Sequence, residues 1–232
     1  KKGPWFLLLG TSVAVMIIIG YKVIFWQRDS LKTNKQIESI IQTTAMKELQ
    51  GDLTDQINLP SASNQAIPYL EVNFQDLIAQ NDEVQGWIKV KNTNINYPFV
   101  QTADNQFYLK HSFNKTPNSA GWVFADFRNN LKSWDQNTIL YAHGRLDNTM
   151  FGSLKKVVEK DWYEQEENHW IQISTRTSNS VWQVFSVYTI KPEIYYITPN
   201  FETEQEFQTF IDTLTKRSDY DFQVEVNTTD HI

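Results

Sequence analysis

One histidine of the sequence stands where a side chain could move protons. His143 follows the apolar run 138–141 and precedes Gly144, a spacing that predicts a position where a strand leaves a sheet for a loop. A side chain at such a rim is accessible yet held by a rigid strand, which suits general acid–base catalysis. An ordinary loop histidine fits the same position, so position alone leaves both interpretations open.

The other histidines point to structural roles. His169 opens a predicted strand, and His111 and His231 have similar settings. The sequence contains no His-Glu-x-x-His helix, Gly-x-Ser-x-Gly turn or glycine-rich phosphate loop, and it indicates no metal site or cofactor. A serine triad stays open because triads are assembled in space, although no serine is singled out. Zero cysteines exclude disulfides and thiolate metal ligands.

The composition describes a folded, acidic protein. Its 232 residues suffice for one well-filled core with appendages, and aromatic residues make up 14% of the chain. The formal net charge is −6, and it is −9 without the first 26 residues, which hold three lysines and no acidic residue. An acidic body argues against a nucleic-acid partner. No nucleic-acid function is therefore expected.

The N-terminal segment predicts a membrane anchor. Residues 4–26 are almost wholly apolar, and about 20 such residues cross a bilayer as a helix. Trp5, Tyr21 and Trp26 stand where interfacial aromatic residues are expected. A cleaved signal peptide and a buried soluble helix are the alternatives, although the run is longer than a typical signal peptide. We take residues 1–26 as a single-pass transmembrane anchor with a cytoplasmic N-terminus.

The segment after the anchor predicts a stalk without chemistry of its own. Residues 27–58 are polar with a weak helical stripe at Ile37, Ile40 and Ile41, which favours a helix that packs loosely on the body. Residues 59–68 then read as a linker, so 27–68 form a helical stalk and linker. The body is expected to begin near Tyr69 and to extend through 69–232.

The body alternates apolar and polar residues in many short runs. This pattern predicts half-buried strands, so we expect an α+β, mostly β fold, a mixed barrel or sandwich with helices at its margins. Strand-like runs occupy residues 86–90, 95–100, 122–125, 138–141, 169–173, 181–190 and 220–226. Helices are expected after Asn73, with Phe74, Leu77 and Ile78 buried, after Thr149, and after Thr203, where Thr203 and Glu206 match a capping box.

The order of these segments resembles the class B sortases. The similarity extends from about residue 74 to 232 and rests on several spaced motifs. They are GWI at 86–88, INYPFVQ at 95–101, DNQFYL at 104–109, GWVFADFRN at 121–129, NTILYAHG at 137–144, DNTMF at 147–151, VFSVY at 184–188 and VEV at 224–226.

The resemblance implies a fold and a reaction. Sortases are membrane-tethered transpeptidases of Gram-positive bacteria, built on a closed β-barrel of eight strands with the catalytic domain outside the cell. A cysteine attacks a sorting signal, of the form Asn-Pro-x-Thr-x in class B, and an amine of the peptidoglycan resolves the acyl-enzyme. A histidine moves the protons and an arginine steadies the oxyanion, as any acyl transfer requires.

The resemblance also assigns site residues. It places the catalytic histidine at His143 and the substrate groove at Asn105, Leu109, Tyr196 and Ile197. An amide at 105 could hydrogen-bond an extended peptide, and the apolar residues could wall its side chains. For Leu109 and Ile197, plain core packing is an equal alternative.

The family's cysteine and arginine would both fall past Ile232. We therefore expect an enzyme whose last strands, nucleophile and oxyanion arginine are missing from these residues, and which is inactive as it stands. Open sheet edges would follow from the missing strands. The alternatives are a non-catalytic sortase-like module that binds peptides, and an unrelated membrane-tethered β-domain.

Overall fold

The computed structural model describes residues 3–50 and 68–232, so nearly all of the predicted linker at 59–68 lies outside the described residues. The protein combines four helices with eight strands in these ranges. The helices are α1 (Gly3–Thr43), α2 (Gln75–Gln80), α3 (Lys160–Tyr163) and α4 (Glu204–Arg217). The strands are β1 (Met46–Gln50), β2 (Pro68–Val72), β3 (Val84–Val90), β4 (Asn96–Val100), β5 (Phe124–Ala125), β6 (Leu140–Tyr141), β7 (Trp170–Thr175) and β8 (Asn179–Gln183).

Helix α1 runs without a break from the apolar segment onto the body. It ends at Thr43, whose hydroxyl donates back to the Ser39 carbonyl at 2.8 Å. The expectation of a helical stalk is therefore wrong at residues 46–50, which form β1, while residues 51–58 lie outside the described residues. The expectation of loose packing is also wrong, because Ile40 is 1% exposed within the core.

The strands form two sheets. Strands β1 and β2 make an antiparallel pair, with Met46 opposite Val72. The other six form one curled sheet in the order β6-β5-β4-β3-β7-β8, antiparallel except where β4 and β5 run parallel. This curled half-barrel with helices confirms the α+β expectation. Within the described residues β6 and β8 are open edges, as expected of a barrel without its final strands.

The central strand β3 shows why the sheet curls tightly. Gly86 lies at an irregularity in the β3–β4 register, and the Phe99 ring packs directly over it. A Cβ at position 86 would come within 2.4 Å of that ring, so only glycine allows this approach. Trp87, 0% exposed, fills the core beside it and donates its indole N–H to Asn96 at 2.7 Å.

Helix α4 closes a second, smaller apolar cluster. Its residues Phe207, Phe210 and Ile211 are buried together, as the helical spacing predicts. The Thr203 side chain accepts from the Glu206 backbone N–H at 3.2 Å, which confirms the predicted N-cap. The reciprocal half of the box differs, because the Glu206 carboxylate accepts from the Glu202 N–H instead.

Four local expectations are wrong. Residues 220–226 keep alternating burial, with Phe222 at 9% exposure, but the described residues offer this segment no strand partner. The run after β8 likewise forms no strand beyond Gln183. Ile78 is 39% exposed on a one-and-a-half-turn helix. Thr149 caps no α-helix, because its hydroxyl bonds to Asp147 and a 3₁₀-helix follows at Phe151–Lys156.

Candidate active site

His143 lies at the open rim of the half-barrel. Strand β6 ends at Tyr141, and the chain then turns outward so that the His143 side chain is half-buried. Its Nε2 lies 2.8 Å from the Leu109 carbonyl oxygen. Because a carbonyl only accepts, Nε2 carries the proton in this contact, and Nδ1 is left as the basic nitrogen of the neutral ring. Nδ1 has no hydrogen-bond partner in the part of the chain that the structure describes.

A short turn presents the carbonyl that holds the ring. Leu109 ends the 3₁₀-helix Phe107–Leu109, and its half-buried side chain packs against the main core. Gly121, at φ +63°, passes directly beside the imidazole, where an added Cβ would lie 3.1 Å from the ring carbon Cδ2. The ring is thus held from two sides.

Asn105 is tied into the body at both ends of its amide. Its Nδ2 donates to Asp126 at 2.8 Å, and its Oδ1 accepts from the Phe127 N–H at 3.0 Å. These two bonds leave the second N–H of the Asn105 amide unused. That N–H is the donor with which Asn105 could bind a peptide, as predicted.

Asp126 is the centre of a polar network that the sequence analysis did not single out. Its side chain is fully buried and accepts from Arg128 through Nε at 2.8 Å and NH2 at 2.7 Å. The Tyr141 hydroxyl donates to it at 2.9 Å. Burial would raise the pKa of Asp126, but these hydrogen bonds, that of Arg128 first, outweigh it and lower the pKa to about 2.

The same network reaches the remaining predicted groove residues. Tyr196 and Ile197 belong to the 3₁₀-helix Tyr195–Ile197, where both are half-buried. Arg128 donates to the Ile197 carbonyl at 2.7 Å, and Asn137 donates to the Tyr196 carbonyl at 3.0 Å.

Four of the five predicted residues fall into two hydrogen-bonded groups, and Tyr196 precedes Ile197 in the same 3₁₀-helix. His143 contacts Leu109, while Asn105 connects to Ile197 through Asp126 and Arg128. Tyr141, two residues before His143, joins the groups because its hydroxyl binds Asp126. A carboxylate and an arginine two residues apart, directly after a buried strand, were the sequence signal that could have found this network.

The other histidines have structural settings. His111 stacks on Phe107 with ring centroids 3.9 Å apart. His169 packs among Tyr163 and Phe222, and its Nε2 lies 2.8 Å from the Tyr163 carbonyl. His231 contacts the Asp135 carbonyl through Nδ1 at 2.9 Å. Among residues 3–50 and 68–232, no group of three or more acidic, histidine or cysteine side chains is placed to hold a metal ion.

An apolar cavity of about 260 Å³ lies inside the half-barrel. Its walls include Phe99 and Ile173 of the sheet, Leu140 of β6 and Trp182 of β8. The cavity therefore reaches both edge strands.

No family model matches the chain, but individual relatives do. The sequence is 30% identical over 220 residues to sortase B of Staphylococcus aureus, which covers 95% of this chain and 83% of that protein.

Solved structures agree with the sequence match. A sortase B from Bacillus anthracis in complex with AAEK1 superimposes with a TM-score of 0.71 at 30% identity, covering 88% of each chain. A Staphylococcus aureus sortase B–substrate complex superimposes with a TM-score of 0.64 at 36% identity, covering 68% of this chain and 72% of that one.

Proposed function

This chain belongs to the sortase B family, and on that premise we propose that it is part of a transpeptidase that cleaves an Asn-Pro-x-Thr-x-like sorting signal. The cleaved surface protein is then joined to an amine of the cell-wall peptidoglycan. Two properties of the described site support the assignment: an oriented imidazole at a rim, and a polar network that braces the neighbouring groove.

His143 is the acid–base group of this reaction. Nδ1 of His143 first takes the proton of the cysteine thiol, and the resulting thiolate adds to the threonine carbonyl. The tetrahedral oxyanion then collapses to a thioester as the peptide amine leaves. His143 gives that amine its proton, and it later takes a proton from the attacking cell-wall amine. The Nε2 contact with Leu109 supports this role, because it fixes the ring and leaves Nδ1 to exchange protons.

The nucleophile belongs to polypeptide outside these residues. The 232 residues contain no cysteine, and without a thiol they are inactive by themselves. The open β6 edge, two residues from His143, and the apolar cavity beside it support a further strand at this position. The arginine that steadies the oxyanion is assigned to the same polypeptide.

The sorting signal lies along the surface formed by Asn105, Leu109, Tyr196 and Ile197. Half-buried apolar side chains beside a bound amide suit an extended peptide. A related sortase B has been solved as a substrate complex, which supports a peptide-binding surface in this fold.

Helix α1 anchors the enzyme in the membrane. The span Leu9–Thr43 contains an 18-residue window with a mean hydropathy of 1.8, and none of that window is buried against the body. We place the N-terminus in the cytoplasm and the body outside the cell.

The His143–Leu109 contact is the observation that carries the mechanism, and a histidine replacement tests it. In the full-length enzyme His143→Gln should lower cleavage of a fluorogenic Asn-Pro-x-Thr-x peptide by at least about 100-fold, the usual contribution of an acid–base group. His231→Gln, an exposed histidine of the same chain, should leave the rate within about twofold. Equal rates for both variants would refute the role of His143.

A binding module without catalysis is the second candidate, and the absence of cysteine from these residues favours it. The coding sequence downstream of Ile232 separates the two. A cysteine-containing strand followed by an arginine supports the enzyme, whereas a stop codon supports the binding module.

A further inference from the structure

One face of helix α1 carries polar side chains that are buried against the body. Asp29 is 4% exposed, Ser30 is 7% exposed and Thr33 is fully buried. Thr33 follows the other two by four and three residues, so all three lie on one side of the helix. A solvated stalk would have no reason to bury these groups, since burial of a polar group is costly unless it is hydrogen-bonded.

Two of these side chains bind the loop that passes His143. Asp29 accepts from Ser119, through the backbone N–H at 3.0 Å and the hydroxyl at 2.5 Å. Thr33 accepts from the Asn118 amide at 3.0 Å. This loop leads into Gly121, the residue whose backbone lies against the imidazole.

The third side chain binds the turn that begins at His143. Arg145, 8% exposed, donates to the Ser30 hydroxyl at 2.6 Å, and its guanidinium lies 5.2 Å from the centre of the Trp26 ring. The turn is closed by the Phe151 N–H, which donates to the His143 carbonyl at 3.0 Å. Arg145 therefore links the helix to the turn that follows His143.

The buried guanidinium is balanced within the same turn. Asp147 pairs with Arg145 at 3.1 Å, and the Thr149 hydroxyl accepts from Arg145 Nε at 3.1 Å. A buried charge is costly unless it is paired and hydrogen-bonded. Ser30 supplies one of the acceptors of Arg145 from the helix, so its removal would leave a guanidinium N–H unpaired.

The geometry points to α1 as a positioning element for the catalytic imidazole. Asp29 and Thr33 fix the loop on one side of His143, and Ser30 fixes the turn on the other side through Arg145. None of these residues touches the reacting atoms. They act by holding the ring against the Leu109 carbonyl, and this role rests on the function proposed above for His143. The helix thus serves both as the membrane tether and as part of the active-site scaffold.

The test compares two serines of α1 in the full-length protein in detergent micelles. Ser30→Ala removes the bond to Arg145, whereas Ser39→Ala removes an exposed hydroxyl of the same helix. Ser30→Thr keeps a hydroxyl and serves as the rescue. The first measurement is the NMR signal of the His143 ring in protein with ¹⁵N-labelled histidine, assigned by its loss in His143→Gln.

We expect the unmodified protein and Ser39→Ala to show the Nε2-protonated ring, and Ser30→Ala to show a mixture of the two neutral tautomers. In peptide cleavage, Ser30→Ala should lower kcat on the order of tenfold with little change in KM, because misplaced catalytic groups slow the chemical step. Ser30→Thr should restore both properties.

An unchanged ring signal and an unchanged kcat in Ser30→Ala would overturn the positioning role. The two readouts also separate this inference from the proposed function. A ring signal that depends on Ser30 in a protein without transpeptidase activity would retain the positioning role and refute the reaction. An active enzyme whose ring signal and kcat are unchanged in Ser30→Ala would support the proposed reaction and refute the positioning role.

Discussion

At Asp126 donor groups from three residues converge on one buried carboxylate, and the candidate groove depends on this residue. Arg128, Tyr141 and Asn105 each donate to it, so it holds two neighbouring segments and the strand before His143 in one arrangement. An acceptor with this many donors cannot be replaced by an amide, because the amide brings donors of its own.

We expect Asp126→Asn to lower the free energy of unfolding by about 2 kcal/mol at neutral pH, less than for a fully buried pair because Arg128 is part exposed. Asp104→Asn is the matched control. The exposed Asp104 carboxylate accepts two backbone N–H groups that an amide oxygen can also accept, so Asp104→Asn should change the stability much less than Asp126→Asn does. Urea denaturation followed by tryptophan fluorescence measures both, and equal losses would contradict the central role of Asp126.

The effect of Asp126 should depend on pH in a defined window. Its folded-state pKa of about 2 lies below the ordinary value of 3.8, so its stabilisation is present above about pH 4 and is lost as the pH falls toward 2. The stability difference between the unmodified protein and Asp126→Asn should therefore shrink across that range. A difference that stays constant from pH 6 to pH 2.5 would show that the charge of Asp126 contributes nothing.

Single residues also show what sequence reasoning could reach. The exit of His143 from a strand was predictable from the apolar run before it. The use of both ends of the Asn105 amide was not, because its partners Asp126 and Phe127 lie more than 20 residues away along the chain. Local pattern contains no information on such contacts.

At the scale of elements, helix α4 offers a test of how its N-terminus is stabilised. Thr203→Ala removes the cap on the Glu206 N–H and should cost about 1 kcal/mol. Thr209→Ala makes the same chemical change in the interior of the helix, where the exposed hydroxyl bonds back to the Gln205 carbonyl. It should be neutral or slightly stabilising, because alanine favours helix more than threonine does. Thermal unfolding of both variants checks the opposite signs, and a loss at Thr209 as large as that at Thr203 would argue against capping.

The predicted strands formed where a segment of alternating apolar and polar residues has a neighbouring strand to bond with, and not elsewhere. Residues 220–226 alternate as a strand would, and Phe222 does point inward, but within residues 3–50 and 68–232 no neighbouring strand pairs with them. Alternation reports which side chains face the core, whereas a strand also requires a backbone partner. The prediction of a loosely packed stalk was wrong for a related reason. The hydrogen-bond partners of Asp29 and Ser30 lie about 90 and 115 residues downstream, beyond the reach of a local pattern.

At the scale of the whole molecule, the apolar cavity is the inner side of the curled sheet. Strands β6 and β8 are its open edges in the described part of the chain, and the apolar cavity of about 260 Å³ extends between them. The sequence motifs predicted this curled sheet because their order along the chain matched a family. They did not predict the firm attachment of α1, which depends on polar contacts between distant segments.

The most direct test of the proposed reaction is the capture of its acyl-enzyme. The protein translated from the complete coding sequence is incubated with an Asn-Pro-x-Thr-x peptide and its intact mass is measured. We predict a mass increase equal to the peptide up to its threonine acyl group, located on a cysteine outside these 232 residues and removed by hydroxylamine. An unchanged mass while the peptide is bound would contradict the transpeptidase assignment.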